Sequence, residues 1–298
     1  MNSKKVAAII VLYKPNLKSI KNIIEVASKQ CDYVFTIDNS DEDNSVQFNE
    51  RFSLLRNVYY YPLLNNYGIA YAQNIGIEKA AEVYSHYTIF FDQDSIPVPG
   101  MVESLVKDYE LLKLNNLEVA TIGPLPINSQ TNAEYKPRIF GHKIFTVSNR
   151  NYYKTNQIIS SGSLMEIDIF NEVGNFEEQL FIDGVDHEWC WRAKKYGYGT
   201  YLSTTTKLMH NLGEGDRKLV GVNIAITSSF RLYYQYRNYI ILTFRAYVPL
   251  YWKINNLIKY SVKMVYYPIL YKDVKVFKKI ITGIVDGFKV IYKKKSEK

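Results

Sequence analysis

The chain has few cysteines and no long uncharged stretch, and each shortage excludes a class of protein. Its 298 residues include two cysteines, Cys31 and Cys190, which lie far apart and form no C-x-x-C pair. This excludes a disulfide scaffold and a zinc ribbon, and it favours a reducing compartment. No uncharged stretch approaches the roughly 18 apolar residues that a membrane span needs. With 47% hydrophobic and 22% charged residues, the chain has the composition of a globular protein that is soluble or docked on a surface.

The net charge of +8 is unevenly distributed along the chain. Residues 217–298 contain 17 basic and 3 acidic residues, a net charge of +14, whereas residues 1–216 carry −6. The basic segment also holds 11 of the 27 tyrosines. Lysines interleaved with aromatic and aliphatic residues suit an anionic membrane surface. The alternatives are packing helices with solvated lysines, an oligomer interface and, less in keeping with the rest of the chain, nucleic-acid binding.

Apolar runs alternate with helical spacings over the first 122 residues. Strands are predicted over Val6–Tyr13, Tyr33–Ile37, Val58–Tyr61, Tyr87–Phe91 and Val119–Ile122, and helices over 17–27, 69–83 and 101–112. This alternation predicts an α/β fold with a mostly parallel sheet and helices on both faces. Ligands of such sheets bind beyond the carboxyl ends of the strands. The polar residues expected there are Tyr13, Asp38, Asn39, Asn65, Asn66, Asp92 and Asp94.

Two acidic triplets occur, and their contexts differ. Asp92-Gln93-Asp94 directly follows an apolar strand, where two carboxylates can hold a hard cation or a metal-bound diphosphate. The alternative is a pair of turn and N-cap aspartates. The triplet 41–43 lies in a polar loop, and we expect it to be a solvated turn.

The segment from Asn66 to Gly76 places small residues at the start of a predicted helix. Free backbone N–H groups at such a start favour an anion. No Gly-Lys-Ser/Thr follows, so the segment is not a P-loop. Close packing of the helix on the sheet is a second interpretation, and the two are compatible.

The segment from Phe181 to Arg192 combines acids, a histidine and aromatic residues. Asp183, Asp186 and His187 fall within two helical turns, and a carboxylate near a helix start beside aromatic walls suits base catalysis. The alternative is that the acids only cap the helix. His210 is one of four histidines, and a lone histidine is more often structural than a ligand.

Taken in order, these motifs resemble the inverting family 2 glycosyltransferases of the GT-A fold. The motifs are Val11-Leu12-Tyr13, Asp38-Asn39-Ser40, the segment 66–76, Asp92-x-Asp94, the helix of Asp186, and His210. The segments 159–164 and 181–192 are similar to those of bacterial rhamnosyltransferases of surface polysaccharide assembly, and 231–238 carries a looser likeness. Gly184 departs from the family, which often has an aromatic residue there, and this leaves the shape of the acceptor pocket open.

The resemblance implies a GT-A catalytic domain in residues 1–216 and a basic helical segment, 217–298, that associates with a membrane or forms oligomers. It implies transfer of L-rhamnose from dTDP-rhamnose to a lipid-linked glycan acceptor, at the cytoplasmic face of the plasma membrane and without a nucleic-acid partner. A galactofuranosyl- or other hexosyltransferase is the nearest alternative. A sugar-nucleotide pyrophosphorylase would need a Gly-rich loop after the first strand, which is absent. A non-catalytic protein with a degenerate core is disfavoured by the acidic motifs.

The resemblance also assigns roles to individual residues. Asp186 would be the catalytic base. The donor nucleotide would contact Tyr13, which packs on the base, and Asp38, which accepts the imide N–H, with Asn66, Gly68, Asn74 and Asp92. Asp94, His210 and Asp92 would hold Mg²⁺ or Mn²⁺. The sugar and acceptor pocket would be lined by Ser161, Gly162, Ser163, Asp183, His187, Glu188, Trp189 and Arg192.

Overall fold

The computed structural model describes residues 4–128, 143–210, 216–219, 222–225, 228–271 and 273–296. The strands are β1 (Val6–Leu12), β2 (Tyr33–Asp38), β3 (Val58–Pro62), β4 (Tyr87–Asp92), β5 (Ile96–Pro97), β6 (Val119–Asn128), β7 (Lys143–Val147), β8 (Arg150–Thr155), β9 (Leu164–Glu166), β10 (Gly199–His210), β11 (Asp216–Leu219) and β12 (Val222–Ala225). The helices are α1 (Lys21–Gln30), α2 (Ser45–Phe52), α3 (Ile69–Glu82), α4 (Met101–Leu114), α5 (Ile169–Val173), α6 (Val185–Lys195), α7 (Ser229–Thr243), α8 (Leu250–Tyr271) and α9 (Val274–Ser296).

A mixed sheet forms the centre of the molecule. Its strand order is β3-β2-β1-β4-β9-β6-β10-β8-β7, with β5 paired to β10. Strands β3, β2, β1 and β4 are mutually parallel, and β6 is parallel to β10. The short β9 runs antiparallel between β4 and β6, and β8 runs antiparallel to β10. The predicted α/β fold is therefore confirmed, and strands β1 to β4 are parallel as predicted. The antiparallel strands make the sheet as a whole mixed, and those after residue 143 were not predicted.

Strand β1 shows why the sheet is buried on both faces. Because side chains alternate along a strand, Val6, Ala8, Ile10 and Leu12 join one hydrophobic cluster, which includes residues of α1 and α4. Ala7 and Ile9 join a second cluster on the opposite face, with residues of α3, α5 and α6. A continuous apolar run is what a strand packed between two helical layers requires.

The C-terminal helices α7, α8 and α9 pack on one another. The Tyr236 hydroxyl donates to the Tyr260 carbonyl (2.7 Å), and Tyr239 donates to the Lys253 carbonyl (3.0 Å), so α8 runs antiparallel to α7. Helix α9 runs parallel to α7 and packs directly on its backbone.

Two glycines one turn apart allow this close approach. A Cβ added at Gly283 would lie 2.4 Å from the Tyr233 carbonyl oxygen, and one added at Gly287 would lie 2.8 Å from the Arg237 carbonyl oxygen. Such distances exclude any larger residue unless α9 moves away from α7. The pair therefore fixes the spacing between the two helices.

Helix α7 is also anchored to the loop that precedes α6. Asn238 is 2% exposed, and its Nδ2 lies within hydrogen-bond distance of the carbonyls of Leu180 (2.8 Å), Ile182 (2.7 Å) and Asp183 (2.9 Å). The loop would otherwise bury backbone acceptors without donors. The boundary predicted after residue 216 falls at the first residue of β11, and the basic segment beyond it makes extensive contact with the rest of the protein through α7.

We predict that Asn238→Ala destabilises the protein by about 2–4 kcal/mol, because it removes a buried side-chain donor to the carbonyls of Ile182 and Asp183, and leaves the Leu180 carbonyl with Arg237 as its side-chain donor. Denaturant unfolding of the full chain measures this change in the free energy of unfolding. Asn255→Ala, at an exposed position of α8, is the matched control and should change stability by less than about 0.5 kcal/mol. Equal effects of the two substitutions would contradict the anchoring role.

Candidate active site

The carboxyl ends of β1, β2 and β4 form the edge of the sheet at which the predicted polar residues lie. Tyr13 follows β1 with 46% of its surface exposed, and its backbone N–H donates to Gln93 Oε1 (3.0 Å). This contact ties the end of β1 to the acidic triplet after β4. The exposed ring of Tyr13 remains available for stacking on a planar ligand.

Asp38, at the end of β2, organises the loops around it. It is 1% exposed and accepts hydrogen bonds from the Ser40 N–H (3.1 Å) and hydroxyl (2.5 Å), from Asn44 Nδ2 (3.1 Å) and from the Tyr60 hydroxyl (2.6 Å). Four donors already occupy this carboxylate. Contact with the imide of a nucleobase would therefore require one of these hydrogen bonds to open.

A second polar network holds the start of α3. Asn39 Nδ2 donates to Asn66 Oδ1 (2.9 Å), which also accepts from the Gly68 N–H (3.1 Å), and Asn39 Oδ1 accepts from the Tyr67 N–H (2.8 Å). Asn66 and Gly68 therefore lie beside the end of β2, as predicted for residues near the donor. The loop conformation is fixed by side-chain amides and not by a glycine-rich phosphate loop.

Asn74 requires a correction. Its Nδ2 donates to the Phe176 carbonyl (3.0 Å) and to Glu178 Oε1 (2.9 Å), and its Oδ1 accepts from the Phe176 N–H (3.0 Å). Both amide N–H groups are used, and the residue is 8% exposed. Asn74 thus fixes the segment that leads to α6, and neither of its amide N–H groups remains free to bind a nucleotide.

The turn at 160–163, which we call the serine turn, forms hydrogen bonds with both β4 and α6. Gly162 N–H donates to the Phe90 carbonyl (2.7 Å), and Ser161 Oγ accepts from the Asp92 N–H (3.3 Å). At the other side of the turn, the Ser160 N–H donates to Asp186 Oδ2 (3.2 Å). The turn therefore brings the acids after β4 and the acid at the start of α6 to the same place. Ser161 and Ser163 are themselves buried, at 3% and 0% exposure.

Electrostatics identify an acidic cluster of Asp92, Asp94 and Asp186. The pKa of the Asp92 carboxyl is raised to about 7, first by burial and then by the carboxylates of Asp94 and Asp186. Arg231 opposes this shift. Carboxylates interact in this way only when they are close together. The acids at the end of β4 and Asp186 therefore lie near one another, whereas their assignment to one site and their chemical roles remain predictions.

Arg231 is the residue that sequence reasoning missed. It comes from the first turn of α7, and its Nη2 lies 2.5 Å from Asp183 Oδ1. Its positive charge also acts on Asp92. Lys263 of α8 brings a second positive charge near Asp183, and burial lowers the pKa of its amine. The sequence offered one signal, the looser likeness of 231–238, but no spacing rule connects this helix to the acids.

A turn with positive φ angles orients the start of α6. Asp183 has φ of 66° and Gly184 has φ of 89°. A Cβ added at Gly184 would lie 3.2 Å from Leu242 Cδ1 of α7. The departure from the family pattern at Gly184 therefore coincides with close packing of α7 over this turn. Asp183 keeps its predicted place at the edge of the site, paired with Arg231.

Three residues of α6 that were predicted to line the pocket require a correction: Glu188, Trp189 and Arg192. The structure shows their polar atoms bonded to other parts of the protein. Glu188 and Trp189 are 0% exposed, so neither can line an open pocket. Glu188 accepts from Arg192 Nε (2.9 Å) and from the Tyr247 hydroxyl (2.6 Å), while Trp189 Nε1 donates to the Gly174 carbonyl (2.9 Å). Glu188 lies about 200° around the helix from Asp186, and Arg192 donates to Glu188 and to the carbonyls of Val173 and Asn175. His187 is half-buried beside Trp191, with ring centroids 5.8 Å apart, and stays a candidate.

A divalent cation fits the chemistry of the acidic cluster. Carboxylate oxygens are hard ligands that suit Mg²⁺ or Mn²⁺, and the carboxylates of Asp94 and Asp186 add to the effect of burial in raising the pKa of Asp92. Within the side chains that the structure describes, no group of three or more His, Cys, Asp or Glu residues is arranged to hold a metal. His210 ends β10, and its side chain lies outside those described.

Together, the parallel half-sheet and the acids beyond its edge are features of enzymes that act on nucleotide-activated substrates. The model of glycosyl transferase family 2 matches residues 8–174, more than half of the chain, and the protein belongs to this family. This confirms the family expected from the motifs. A similar protein is the dTDP-rhamnosyl transferase RfbF of Shigella flexneri, which is 33% identical over 255 residues, covering 84% of this chain and 83% of RfbF.

Solved structures share the fold. GalNAc-T7, solved with UDP, GalNAc and Mn²⁺, has a TM-score of 0.58 at 16% identity over 79% of this chain. The match covers 47% of GalNAc-T7, so this chain spans about half of that protein. Residues 1–349 of S. aureus TarS, in complex with UDP-GlcNAc, have a TM-score of 0.57 at 15% identity over 95% of this chain and 80% of that TarS portion. At these identities the similarity concerns the fold alone.

We predict that Asp92 makes the metal-free protein less stable as the pH rises. Because its pKa is about 7 in the folded protein against an ordinary 3.8, the folded state binds the extra proton, and that stabilisation is lost as the pH rises toward 7. The free energy of unfolding of Asp92→Asn should therefore increase relative to that of the wild type across this interval, by a few kcal/mol at most.

Thermal unfolding in chelator across this pH range measures the difference between the two proteins. Arg231→Gln supplies the contrast, since removal of a positive charge beside Asp92 should raise its pKa further and extend the loss of stability to higher pH. An advantage of Asp92→Asn that stays the same from acid to neutral pH would show that Asp92 does not titrate as described.

Proposed function

We propose that this protein is an inverting rhamnosyltransferase, which transfers L-rhamnose from dTDP-rhamnose to a glycan acceptor in cell-surface polysaccharide synthesis. The observation that carries the proposal is the convergence of Asp92, Asp94 and Asp186 at the edge of a family 2 fold. The 33% identity with a dTDP-rhamnosyl transferase over most of both chains supports the donor.

The proposed chemistry is a single displacement at the anomeric carbon. Asp186 takes the proton from the acceptor hydroxyl as that oxygen attacks, and the bond to the nucleoside diphosphate breaks on the opposite face. Inversion follows, because no covalent intermediate is formed. The hydrogen bond from the Ser160 N–H to Asp186 Oδ2 (3.2 Å) holds one carboxylate oxygen, so the orientation of the base is set before the acceptor arrives.

Asp94 and Asp92 are the proposed ligands of Mg²⁺ or Mn²⁺, with His210 as a further ligand suggested by the sequence. When bound, the cation supplies positive charge that offsets the charge developing on the leaving diphosphate. Arg231 adds a fixed positive charge beside the same acids. Arg231 and the bound cation would thus both place positive charge near the diphosphate.

The remaining contacts complete the proposal for donor and acceptor. Tyr13 stacks on the nucleobase, Asp38 lies at the end of β2 near the base, and Asn66 and Gly68 border the donor. Gly162 and His187 border the sugar and acceptor. We assign residues 1–216 to catalysis and 217–298 to attachment, by a membrane or an oligomer. The acceptor is a lipid-linked glycan, and the enzyme acts as a peripheral protein at the cytoplasmic face of the plasma membrane.

The sugar itself is the element to test first, because a galactofuranosyl- or other hexosyltransferase would share this framework. A panel of dTDP-, UDP- and GDP-sugars, each assayed for donor hydrolysis with and without Mn²⁺, identifies the donor directly. Hydrolysis confined to a UDP-hexose would replace the rhamnosyl assignment, and absence of hydrolysis and of donor binding with every sugar would count against catalysis itself.

We predict that Asp186→Asn lowers kcat for transfer by about 10²–10⁴-fold, since an amide cannot take the proton but keeps the shape of the side chain. The KM for the donor should stay near that of the wild type. Steady-state transfer kinetics with purified donor measure both parameters. Asp168→Asn, at an exposed carboxylate ahead of α5, is the control and should retain full activity. Normal turnover by Asp186→Asn would remove Asp186 as the base.

We predict that Asp94→Ala abolishes the metal dependence of donor binding. Calorimetry should show that Mg²⁺ or Mn²⁺ tightens donor binding to the wild type by about tenfold or more, and to Asp94→Ala hardly at all. Glu42→Ala, in the exposed acidic triplet 41–43, should behave as the wild type. Activity of the wild type that survives unchanged in chelator would refute the metal assignment.

A further inference from the structure

We propose that α8 and α9 form a docking surface for an anionic lipid bilayer, in which one apolar stripe of each helix enters the headgroup region. The inference deepens the proposed function, on which it rests for its biological purpose, because a lipid-linked acceptor lies at such a surface. The physical argument itself depends on the two helices alone.

Helix α8 exposes apolar side chains at helical spacing. They are Leu250, Tyr251, Ile254, Leu257, Ile258, Val262, Val265 and Ile269, with exposed fractions between 43% and 69%. Residues three and four apart lie on the same face of a helix, so these side chains form one continuous stripe. Isolated exposed leucines are ordinary, whereas a stripe along six turns marks an interaction surface.

Helix α9 carries a second stripe of the same kind. Its members are Val274, Phe277, Ile281, Val285, Phe288 and Tyr292, separated by steps of three or four residues, with exposed fractions between 37% and 81%. The opposite face of α9 is already occupied. Val276 and Ile280 are buried, and Gly283 and Gly287 lie against α7. The exposed stripe is therefore not the face with which α9 joins the protein.

A row of lysines borders the stripe of α9. Lys275, Lys278, Lys289 and Lys293 are exposed, and each directly follows a stripe residue, which on a helix is a step of about 100°. Residues 250–298 contain 12 lysines and 3 acidic residues, a net charge of +9. An apolar stripe beside a basic row is the pattern of helices that lie in the plane of an anionic bilayer.

Two other arrangements fit the surface less well. Among the described residues, no helix is long and apolar enough to cross a membrane. A second copy of the chain would bring two segments of net charge +9 together, and like charges oppose such pairing. An anionic bilayer satisfies the apolar stripe and the lysine row together.

The test uses the full chain and two kinds of vesicle. One kind contains phosphatidylcholine with one third phosphatidylglycerol, and the other contains phosphatidylcholine alone. We expect co-sedimentation with the anionic vesicles and weak binding to the neutral ones. Raising the salt concentration should weaken binding without abolishing it, because screening acts on the lysine row and not on the apolar stripe.

The triple substitution Ile258→Gln, Val262→Gln and Val265→Gln tests the apolar stripe without changing charge. We expect the partition coefficient on anionic vesicles to fall about tenfold or more. The matched control replaces Val46, Leu54 and Leu114, exposed apolar residues of α2, the following loop and α4, with Gln. It should bind as the wild type does.

The triple substitution Lys275→Gln, Lys278→Gln and Lys293→Gln tests the charge. It should remove most of the preference for anionic over neutral vesicles. The matched control replaces Lys18, Lys21 and Lys107 with Gln. These exposed lysines lie near or on α1 and α4. Thermal unfolding of each variant shows whether the fold is retained, since all substituted positions are exposed.

Three results would overturn the proposal: no binding to anionic vesicles at low salt, equal binding by the apolar triple variant and its control, or a wild-type dimer in solution that the apolar triple variant converts to a monomer. The last result would assign the stripes to self-association. Asp186→Asn should bind vesicles as well as the wild type does, so failure of the proposed catalysis and failure of docking are distinguishable.

Discussion

The site depends on the short hydrogen-bonded path through the serine turn. Ser161 holds the backbone after β4, and Ser160 holds Asp186, so two acids about 90 residues apart in sequence share one place. Burying a carboxylate and placing others near it are both unfavourable, and they raise the pKa of Asp92 in that order of importance. The fold can keep such a cluster because strands and a helix on each side of the turn fix its backbone. A ligand with positive charge would relieve the repulsion that the scaffold maintains.

The C-terminal helices participate in this balance. Arg231 of α7 pairs with Asp183 and reduces the pKa shift of Asp92, while Asn238 holds the loop on which Asp183 lies. The basic segment is thus more than an attachment to a finished catalytic unit. Arg231, from the positively charged segment 217–298, lies beside acids of the negatively charged residues 1–216, so part of the uneven charge distribution of the chain is used at the acidic cluster.

Much of this architecture follows from local pattern, and the rest depends on tertiary packing. The parallel strands are legible because an apolar run such as Val6–Leu12 suits burial on two faces, and parallel strands place their carboxyl ends at one edge. Strand β8 escapes prediction because Arg150–Thr155 is polar and half-exposed. Glu188 and Trp189 were assigned to the pocket from the family resemblance, whereas the structure buries both side chains completely. Arg231 could not be assigned, since only the packing of α7 brings it to Asp92.

The glycine pair of α9 has a mechanical consequence. With no side chain between Gly283 and the backbone of α7, the two helices have little freedom to slide or tilt separately. Helix α7 in turn carries Arg231 at its first turn. If α9 docks on a lipid surface as proposed, the distance from that surface to Arg231 and the neighbouring acids is therefore fixed by the packing of the two helices. A fixed distance of this kind would select lipid-linked acceptors by length, since only those whose sugar chain extends from the lipid surface as far as the acidic cluster could react.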